Sequence, residues 1–317
     1  MGLICLLTCV QQVQAGKVVA WGANDFGQVS NAPTGTDFTA IAAGVYTGYA
    51  LKANGSIVAW GGDTQGAVSN TPGGTGFTAI AAGEYTGYAL RANGSIAAWG
   101  WDNFGSVSNT PRGTGFIAIA GGSQNGYALT ENGSIVAWGN DQYGQVSNTP
   151  EGTGFTAIAG GGQAGLALTA NGSIIAWGCD NARLVSYAPT ETGFTAIVGG
   201  SSNGYALRAN GSIAAWGYNA DGQVSNTPMG SGFTTIAGGN LTAYALRSNG
   251  SIAAWGRNGF GLVSDAPTGT GFTSIAGGLY NSYALTPEPA TLLLLGLGAI
   301  FINAKSKNKN VNIQIKN

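Results

Sequence analysis

Short hydrophobic runs recur along this chain at a constant interval. Each repeat holds three runs of small, β-branched or aromatic residues, for example FTAIAA, GYAL and SIVAW. Turn-forming residues bound each run, and outside the fifth unit glycine interrupts the repeat too often for a helix, so the runs predict short β-strands. The period is 39 residues, marked by seven Ala-Trp-Gly sequences with tryptophans at Trp21, Trp60, Trp99, Trp138, Trp177, Trp216 and Trp255.

The turn residues between the runs predict how the strands connect. Asn-Gly separates GYAL from SIVAW in six units, the first being Asn54-Gly55. This dipeptide suits a type I′ hairpin turn, in which both central residues have positive φ. A fourth, weaker strand is expected at QVSNTP, with its proline at an edge or an end. Four short strands per 39-residue unit are typical of a propeller blade.

The two ends of the repeat region distinguish a closed ring from an open stack. Residues 17–22 (KVVAWG) form the second half of a hairpin without a first half, and residues 282–285 (SYAL) form a first half without a second. An open solenoid would need polar capping units, and none is visible in the sequence. The pattern therefore predicts an all-β, seven-bladed β-propeller over residues 17–285, with four strands per blade and the last blade closed by the N-terminal strand.

The repeat also resembles a known family. The pattern AWGxNxxGQ, FTAIAAG and YALxxNGxI, over about residues 18–285, resembles the propeller repeats of the regulator of chromosome condensation family. The short repeat looks more like that of the secreted, seven-bladed β-lactamase inhibitory protein II, which implies β-lactamase inhibition as one function to test. Two departures stand out, because the chain has no histidine and because Arg183-Leu184 replaces the Gly-Gln pair seen at Gly27-Gln28.

Residues 286–317 differ in composition from the repeats. Pro287-Glu288-Pro289 precedes an apolar stretch, and Lys305, Lys307 and Lys309 follow it. This arrangement resembles the bacterial PEP-CTERM sorting signal, which implies recognition and removal by an exosortase-type processing enzyme. About 15 apolar residues span roughly 22 Å, less than the ~30 Å hydrocarbon core, so we expect transient membrane contact before processing. An unprocessed membrane tail is the alternative.

Residues 1–15 resemble a signal peptide. An apolar run from Leu3 to Val10 precedes a Val-Gln-Ala site ending at Ala15, although the positively charged n-region is missing. An additional edge strand is the alternative, but polar glutamines separate this run from the first repeat. The two ends together predict an exported protein, extracellular or at the outer cell surface, with membrane anchoring before processing.

Composition narrows the function classes. Charged residues make up 8% of the chain, and residues 17–285 hold 8 Lys/Arg against 12 Asp/Glu, which argues against nucleic acid as a partner. Without histidine, neither a Ser-His-Asp triad nor a histidine-ligated metal site is available. Cys179 is the single cysteine of the repeat region, so no disulfide forms within it. We therefore expect a protein that is not an enzyme and has no cofactor or metal.

One Asn or Asp lies two residues after each Ala-Trp-Gly glycine, and we expect it to cap a turn by bonding to local backbone N–H groups. A Ca²⁺ site is the weaker alternative, because no DxDxDG spacing occurs. The tryptophans are expected in the core. The seven Asx residues are Asn24, Asp63, Asp102, Asp141, Asp180, Asn219 and Asn258.

The repeats differ from one another mainly in two loops, one after Trp-Gly and one after Ala/Gly-Gly, which strand direction places on one face of the ring. Exposed Tyr, Trp and Arg are favoured at protein interfaces. The sequence therefore predicts a cell-surface binding module for a protein or a matrix polysaccharide, with lectin-like carbohydrate binding or β-lactamase inhibition as alternatives; the opposing interpretation is that the rings only pad the blades. The candidate residues are Phe26, Tyr46, Tyr85, Trp101, Phe104, Tyr143, Arg183, Tyr218, Arg257, Phe260 and Tyr280.

Overall fold

The computed structural model describes residues 15–287. Outside this range lie the predicted signal peptide up to residue 14 and most of the predicted sorting signal, including Glu288, Pro289, Lys305, Lys307 and Lys309. The described part is a ring of seven antiparallel blades, each built from an inner, a middle and an outer strand.

The strands recur at the positions that the hydrophobic runs predict. The inner strands are β2 (Phe38–Ala43), β5 (Phe77–Ala82), β8 (Phe116–Gly121), β11 (Phe155–Gly160), β14 (Phe194–Gly199), β17 (Phe233–Gly238) and β20 (Ser274–Gly277). The middle strands are β3 (Thr47–Lys52), β6 (Thr86–Arg91), β9 (Asn125–Thr130), β12 (Ala164–Thr169), β15 (Asn203–Arg208), β18 (Thr242–Arg247) and β21 (Asn281–Pro287). The outer strands are β4 (Ile57–Gly61), β7 (Ile96–Gly100), β10 (Ile135–Gly139), β13 (Ile174–Gly178), β16 (Ile213–Gly217), β19 (Ile252–Gly256) and β1 (Gly16–Gly22). Blade 1 consists of β2, β3 and β4, and blade 7 of β20, β21 and β1.

The N-terminal strand closes the ring, as predicted. Strand β1 pairs with β21 at seven positions, from Gly16 opposite Pro287 to Gly22 opposite Asn281. Strand β20 pairs with the other side of β21 and also contacts β2 of blade 1. Strand β21 continues to Pro287, two residues beyond the predicted end of the propeller.

The predicted fourth strand is wrong, because QVSNTP forms turns in the described blades and each blade has three strands. The cause is the Asx residue of the preceding loop. Asn24 Oδ1 accepts the backbone N–H groups of Val29 and Ser30 at 3.0 and 2.9 Å, and equivalent pairs of bonds occur in all seven repeats. Donors engaged in this way cannot pair with a neighbouring strand. The prediction of an Asx turn cap is confirmed.

The hairpin turn also differs from the expected type I′. Only Gly55 has a positive φ (77°), and its N–H donates to the Lys52 carbonyl at 2.9 Å. This is a three-residue connection, a type I turn followed by a left-handed glycine. Asn54 contributes through its side chain, since its Oδ1 accepts the Ser56 N–H at 2.9 Å.

The core lies between neighbouring blades. The seven repeat tryptophans are only 3–5% exposed, and each donates its indole N–H to a backbone carbonyl, as Trp60 does to Gln28 at 2.9 Å. In six of the seven interfaces a middle-strand tyrosine packs against the tryptophan of a neighbouring blade, with ring centroids 4.9–5.7 Å apart. The remaining interface has Leu166 in place of tyrosine. The predicted core role of the tryptophans is confirmed.

Candidate binding face

The two variable loops of each blade lie together. The loop after Trp-Gly (the outer loop) donates a backbone N–H to the loop after Ala/Gly-Gly (the inner loop), for example from Gly62 to the Tyr46 carbonyl at 2.8 Å. The same bond joins Trp101 to Tyr85 at 3.0 Å. The Asn-Gly turns contact the start of the inner strands instead, since the Phe77 N–H donates to the Gly55 carbonyl at 3.0 Å. All the variable loops therefore form one rim, here called the loop rim.

The inner loops encircle the mouth of the central channel. Backbone bonds pass from blade to blade, such as Val45 N–H to the Glu84 carbonyl (3.0 Å) and Glu84 N–H to the Ser123 carbonyl (3.2 Å). The channel mouth is a cavity of about 230 Å³ that residues from all seven blades line. Because the inner loops are bonded to their neighbours, side chains on this rim project from a fixed backbone.

Six of the predicted rings form a contiguous cluster, here called the aromatic arc: Phe26, Tyr46, Tyr85, Trp101, Phe260 and Tyr280. Tyr46 is central, stacked on Tyr280 with centroids 5.3 Å apart. It also lies 4.8 Å from Phe26 and 6.3 Å from Tyr85. The arc ends at Trp101, 5.6 Å from Tyr85, and at Phe260, 5.4 Å from Tyr280. These residues come from the loops of blades 6, 7, 1 and 2.

The other predicted residues lie on the rim without joining the arc. Phe104, Tyr143 and Tyr218 are exposed, and none has a ring contact with another described aromatic residue. Arg183 donates to the Tyr187 hydroxyl, and its guanidinium lies over the Tyr187 ring. Arg257 borders a small recess that Phe260 and Tyr280 also line.

In three blades a buried glutamine sets the backbone conformation of the outer loop. The Gln28 side chain is fully buried, and its Oε1 accepts the Phe26 N–H at 2.8 Å. Gln145 and Gln223 do the same for Tyr143 and Asp221. Where Ala67, Ser106 or Leu262 replaces the glutamine, the residue two positions earlier adopts a positive φ of 55–57°, at Gln65, Phe104 and Phe260 respectively. The Gly-Gln pair visible in the sequence was the signal for this difference.

The two rims differ in charge. The loop rim carries seven outer- or inner-loop carboxylates (Asp25, Asp63, Glu84, Asp102, Asp141, Asp180 and Asp221) against Arg183 and Arg257. Most other cations belong to the strand ends and turns of the opposite rim, where Arg91 and Arg208 lie over Phe77 and Phe194. The loop rim is therefore the acidic side of the propeller.

Ionisation on the loop rim follows from burial and local bonds. Burial, followed by the neighbouring phenol of Tyr280, raises the pKa of Tyr46, and burial followed by Glu84 raises the pKa of Tyr85, so Tyr46 and Tyr85 are uncharged near neutral pH. Burial also raises the pKa of Glu84. Backbone N–H donors lower the pKa of each capping aspartate, including Asp63 and Asp102.

A second depression on the same rim contains residues that the sequence did not single out. It measures about 390 Å³ and includes Gln124, Gln163 and Asn181. Its signal was present in the repeats, since Gln124 and Gln163 occupy the positions of Tyr46 and Tyr85. Within residues 15–287, no group of three or more His, Cys, Asp or Glu could hold a metal ion, and no helix is long and apolar enough to cross a membrane.

Comparisons with solved structures agree with this architecture. Prp20p of Saccharomyces cerevisiae is 16% identical, with a TM-score of 0.72 over 92% of this chain and 96% of that one. Human WBSCR16 is 14% identical, with a TM-score of 0.70 over 86% and 99% of the two chains. The CRINKLY WD40 ectodomain of the Arabidopsis thaliana receptor kinase ACR4 is 21% identical, with a TM-score of 0.62 over 78% and 89%. At these identities the likeness shows the fold alone, and the protein is a β-propeller.

Two family models match parts of the sequence. Residues 116–145 match the regulator of chromosome condensation (RCC1) repeat, and residues 285–307 match the PEP-CTERM protein-sorting motif. No curated protein matches the chain. The protein is an RCC1-repeat propeller with a C-terminal PEP-CTERM sorting motif. The motif indicates export, sorting to the cell surface and processing by an exosortase.

Proposed function

We propose that this protein is a non-catalytic binding module, secreted or held at the cell surface, whose loop rim contacts a protein or matrix partner. The aromatic arc carries the proposal. It places six neighbouring rings on one rim, of which Phe26 and Phe260 are 53% and 59% exposed and the other four are half-buried. Contiguous exposed aromatic residues on a soluble protein mark an interaction surface more often than chance placement does.

The backbone beneath the arc supports this role. Tyr46 and Tyr85 belong to inner loops that are bonded to their own outer loops and to the neighbouring blade. Such loops lose little conformational entropy when a partner binds, so more of the contact energy appears as affinity. The acidic charge of the rim favours a neutral or basic partner over an anionic one.

The structural neighbours are consistent with a binding role. The Prp20p structure was described together with the binding of that protein to Gsp1p and histones. That description concerns Prp20p. For the present chain it supports only the general inference that a propeller of this fold serves as a platform for a protein partner.

The test compares single variants of the arc with a matched surface aromatic. A partner is first isolated from the surface fraction of the source cells with the purified chain, and its Kd is then measured. We expect Trp101→Ala and Tyr85→Ala to weaken binding about 30-fold, as for a hot-spot loss of ~2 kcal/mol. Tyr187→Ala is the control, because Tyr187 is 56% exposed and lies outside the arc.

Thermal unfolding of the same variants separates the interface from the core. A binding surface predicts that Tm changes little for Trp101→Ala. A large fall in Tm, or an unchanged Kd, contradicts the proposal. β-Lactamase inhibition remains a separate prediction, tested by an inhibition assay with the purified chain.

A further inference from the structure

On the side away from the aromatic arc, the loop rim carries small polar residues instead of aromatic ones. Blades 3, 4 and 5 carry Gln124, Gln163 and Ser202 where blades 7, 1 and 2 carry tyrosine. At the innermost loop position they have only Ser123, Gly162 and Ser201. The loss of ring volume at these positions opens the cavity of about 390 Å³, here called the polar pocket. Its size falls within the range of small-molecule sites.

The walls of the polar pocket offer unused hydrogen-bonding groups. The side chains of Gln163 and Asn181 are exposed and form no hydrogen bond with another described residue. Gln124 Oε1 already accepts Asn140 Nδ2 at 2.9 Å, which leaves the Gln124 Nε2 as a donor. The hydroxyls of Ser201 and Ser202 add groups that both donate and accept. The pocket thus presents both donors and acceptors from neutral side chains.

The charges around the polar pocket exclude two ligand classes. Glu84 is the only charged residue that lines it within the described chain. An anionic ligand would meet this carboxylate without any compensating lysine or arginine, since Arg183 is engaged with Tyr187. A divalent cation would find one carboxylate, whereas such ions take several oxygen ligands. A neutral ligand satisfies the site best.

The choice among neutral ligands follows from the polarity of the walls. The apolar side chains in the lining are those of Ala164, Ala182, Leu184 and Cys179, and Ala164 and Leu184 are themselves buried. An apolar peptide side chain would leave the amides and hydroxyls unpaired, which is unfavourable for buried polar groups. A sugar ring pairs its hydroxyls with such groups and packs its C–H face on small apolar residues.

We propose that the polar pocket binds a neutral saccharide unit, with Gln163, Asn181 and Gln124 as the hydrogen-bonding residues. This site is separate from the aromatic arc, although Glu84 in its wall directly precedes Tyr85 of the arc. The inference extends the proposed function by giving the loop rim a second ligand class. A surface polysaccharide built from neutral sugars is the natural source of such a unit.

The test uses the full chain and a panel of neutral hexasaccharides of glucose, mannose, galactose and N-acetylglucosamine, with galacturonate and glucuronate oligomers as anionic comparisons. We expect at least one neutral oligosaccharide to bind and the uronates to bind at least tenfold more weakly. Gln163→Leu keeps the size of the side chain and should weaken binding at least tenfold. Gln65→Leu is the matched control, because Gln65 is an exposed amide on the same rim in another blade.

Cys179 provides an independent readout. It lines the polar pocket and is half-buried, and it is the free cysteine of the described residues. Its rate of alkylation by iodoacetamide, mapped by mass spectrometry, should fall when the neutral oligosaccharide is present. The rate in Gln163→Leu should not respond to the same concentration.

Several outcomes overturn the proposal. These are the absence of binding by every neutral oligosaccharide, preference for uronates, full affinity in Gln163→Leu, or no change in Cys179 alkylation. Trp101→Ala separates this inference from the proposed function. Loss of partner binding with retained saccharide binding in that variant supports both sites, whereas loss of saccharide binding there contradicts the assignment to the polar pocket.

Discussion

The buried tyrosines of the middle strands permit a test of how hydrogen bonding of their hydroxyls affects the stability of the core. Tyr49 donates its hydroxyl to the Ala67 carbonyl at 3.0 Å, and Trp99 donates its indole N–H to the same oxygen at 3.1 Å. Tyr127 and Tyr205 pack against tryptophan in the same way, but their buried hydroxyls have no hydrogen-bond partner among the described residues. Tyr127 and Tyr205 face turns held by Gln145 and Gln223. Turn type alone does not decide the pairing, because Tyr283 faces the turn held by Gln28 and donates to the Gln28 carbonyl at 3.3 Å.

Replacement by phenylalanine removes only the hydroxyl and leaves each ring in contact with its tryptophan. Tyr49→Phe loses a buried hydrogen bond, so we expect a cost of about 0.5–1.5 kcal/mol in the free energy of unfolding. The acceptor keeps its bond from Trp99, which places the cost toward the lower end. Tyr127→Phe and Tyr205→Phe remove an unpaired buried hydroxyl, so we expect no loss of stability and a gain of up to about 1 kcal/mol.

Guanidinium chloride unfolding provides the measurement, with differences taken from the midpoints at a common m-value. The expected order of stability places Tyr127→Phe and Tyr205→Phe at or above the parent protein and Tyr49→Phe below it. Tyr88→Phe is the internal replicate for the bonded class, because its hydroxyl donates to the Ser106 carbonyl at 3.2 Å. If Tyr127→Phe costs as much as Tyr49→Phe, the energetic difference between bonded and unpaired core hydroxyls is refuted.

Three further changes test other parts of the structure. Leu166→Tyr restores the ring missing from one interface and supplies a hydroxyl donor to the Leu184 carbonyl, which already accepts the Trp216 indole N–H at 2.8 Å. We expect the free energy of unfolding to rise by about 1 kcal/mol, and a fall would mean that the interface lacks room for the ring. Gln65→Gly relieves a left-handed backbone (φ 55°) at an exposed site and should stabilise by about 0.5–1 kcal/mol, whereas Gln142→Gly, where φ is not positive, should destabilise. The capping aspartates have folded pKa values below their unfolded value of about 3.9, so their stabilisation is present above about pH 4 and lost as the pH falls through the folded values. The test replaces the four capping aspartates with asparagine: Asp63, Asp102, Asp141 and Asp180. Below pH 4, the Tm of the parent protein should fall more steeply with decreasing pH than the Tm of this variant. Equal slopes would contradict the role of these carboxylates.

The repeat pattern was sufficient to predict most of the scaffold. Period-39 tryptophans, strand-like runs and unmatched half-hairpins at the two ends predicted the seven blades and the pairing of β1 with β21. The prediction of a fourth strand was wrong because β-propensity takes no account of side-chain hydrogen bonds. Asn24 and its equivalents accept the backbone N–H donors that a strand in that segment would need. The type I′ turn was wrong because an Asn-Gly pair also suits a three-residue turn, in which asparagine acts through its side chain.

The candidate binding face was harder to predict from the sequence than the scaffold. Strand direction correctly placed both variable loops on one rim, but it could not show that only six of the eleven candidate residues touch in an arc. Ring contact does not follow the type of outer turn, because Phe26 with a glutamine-held turn and Phe260 with a left-handed turn both join the arc. Tyr143 and Phe104, one of each turn type, do not join it, because glutamine occupies the neighbouring inner-loop positions of blades 3 and 4 where Tyr46 and Tyr280 meet the rings of the arc. The polar pocket was missed because it arises where an aromatic residue is absent, and such an absence produces no sequence motif.

The close packing of the blades explains why sequence variation is confined to a few positions per repeat. An added Cβ at Gly83 would lie 2.8 Å from the Gly122 carbonyl, and one at Gly200 would lie 2.7 Å from the Gly239 carbonyl. These distances are too short for any side chain, so the inner loops remain glycine where neighbouring blades meet. Variation is then concentrated at the positions equivalent to Val45 and Tyr46 and in the outer loops. Because the backbone at these positions repeats from blade to blade, exchanging Tyr85 for the Gln163 type of residue changes the surface from aromatic to polar without changing the scaffold. The two recognition sites that we propose, one aromatic and one polar, both draw on this small set of variable positions on a single rim.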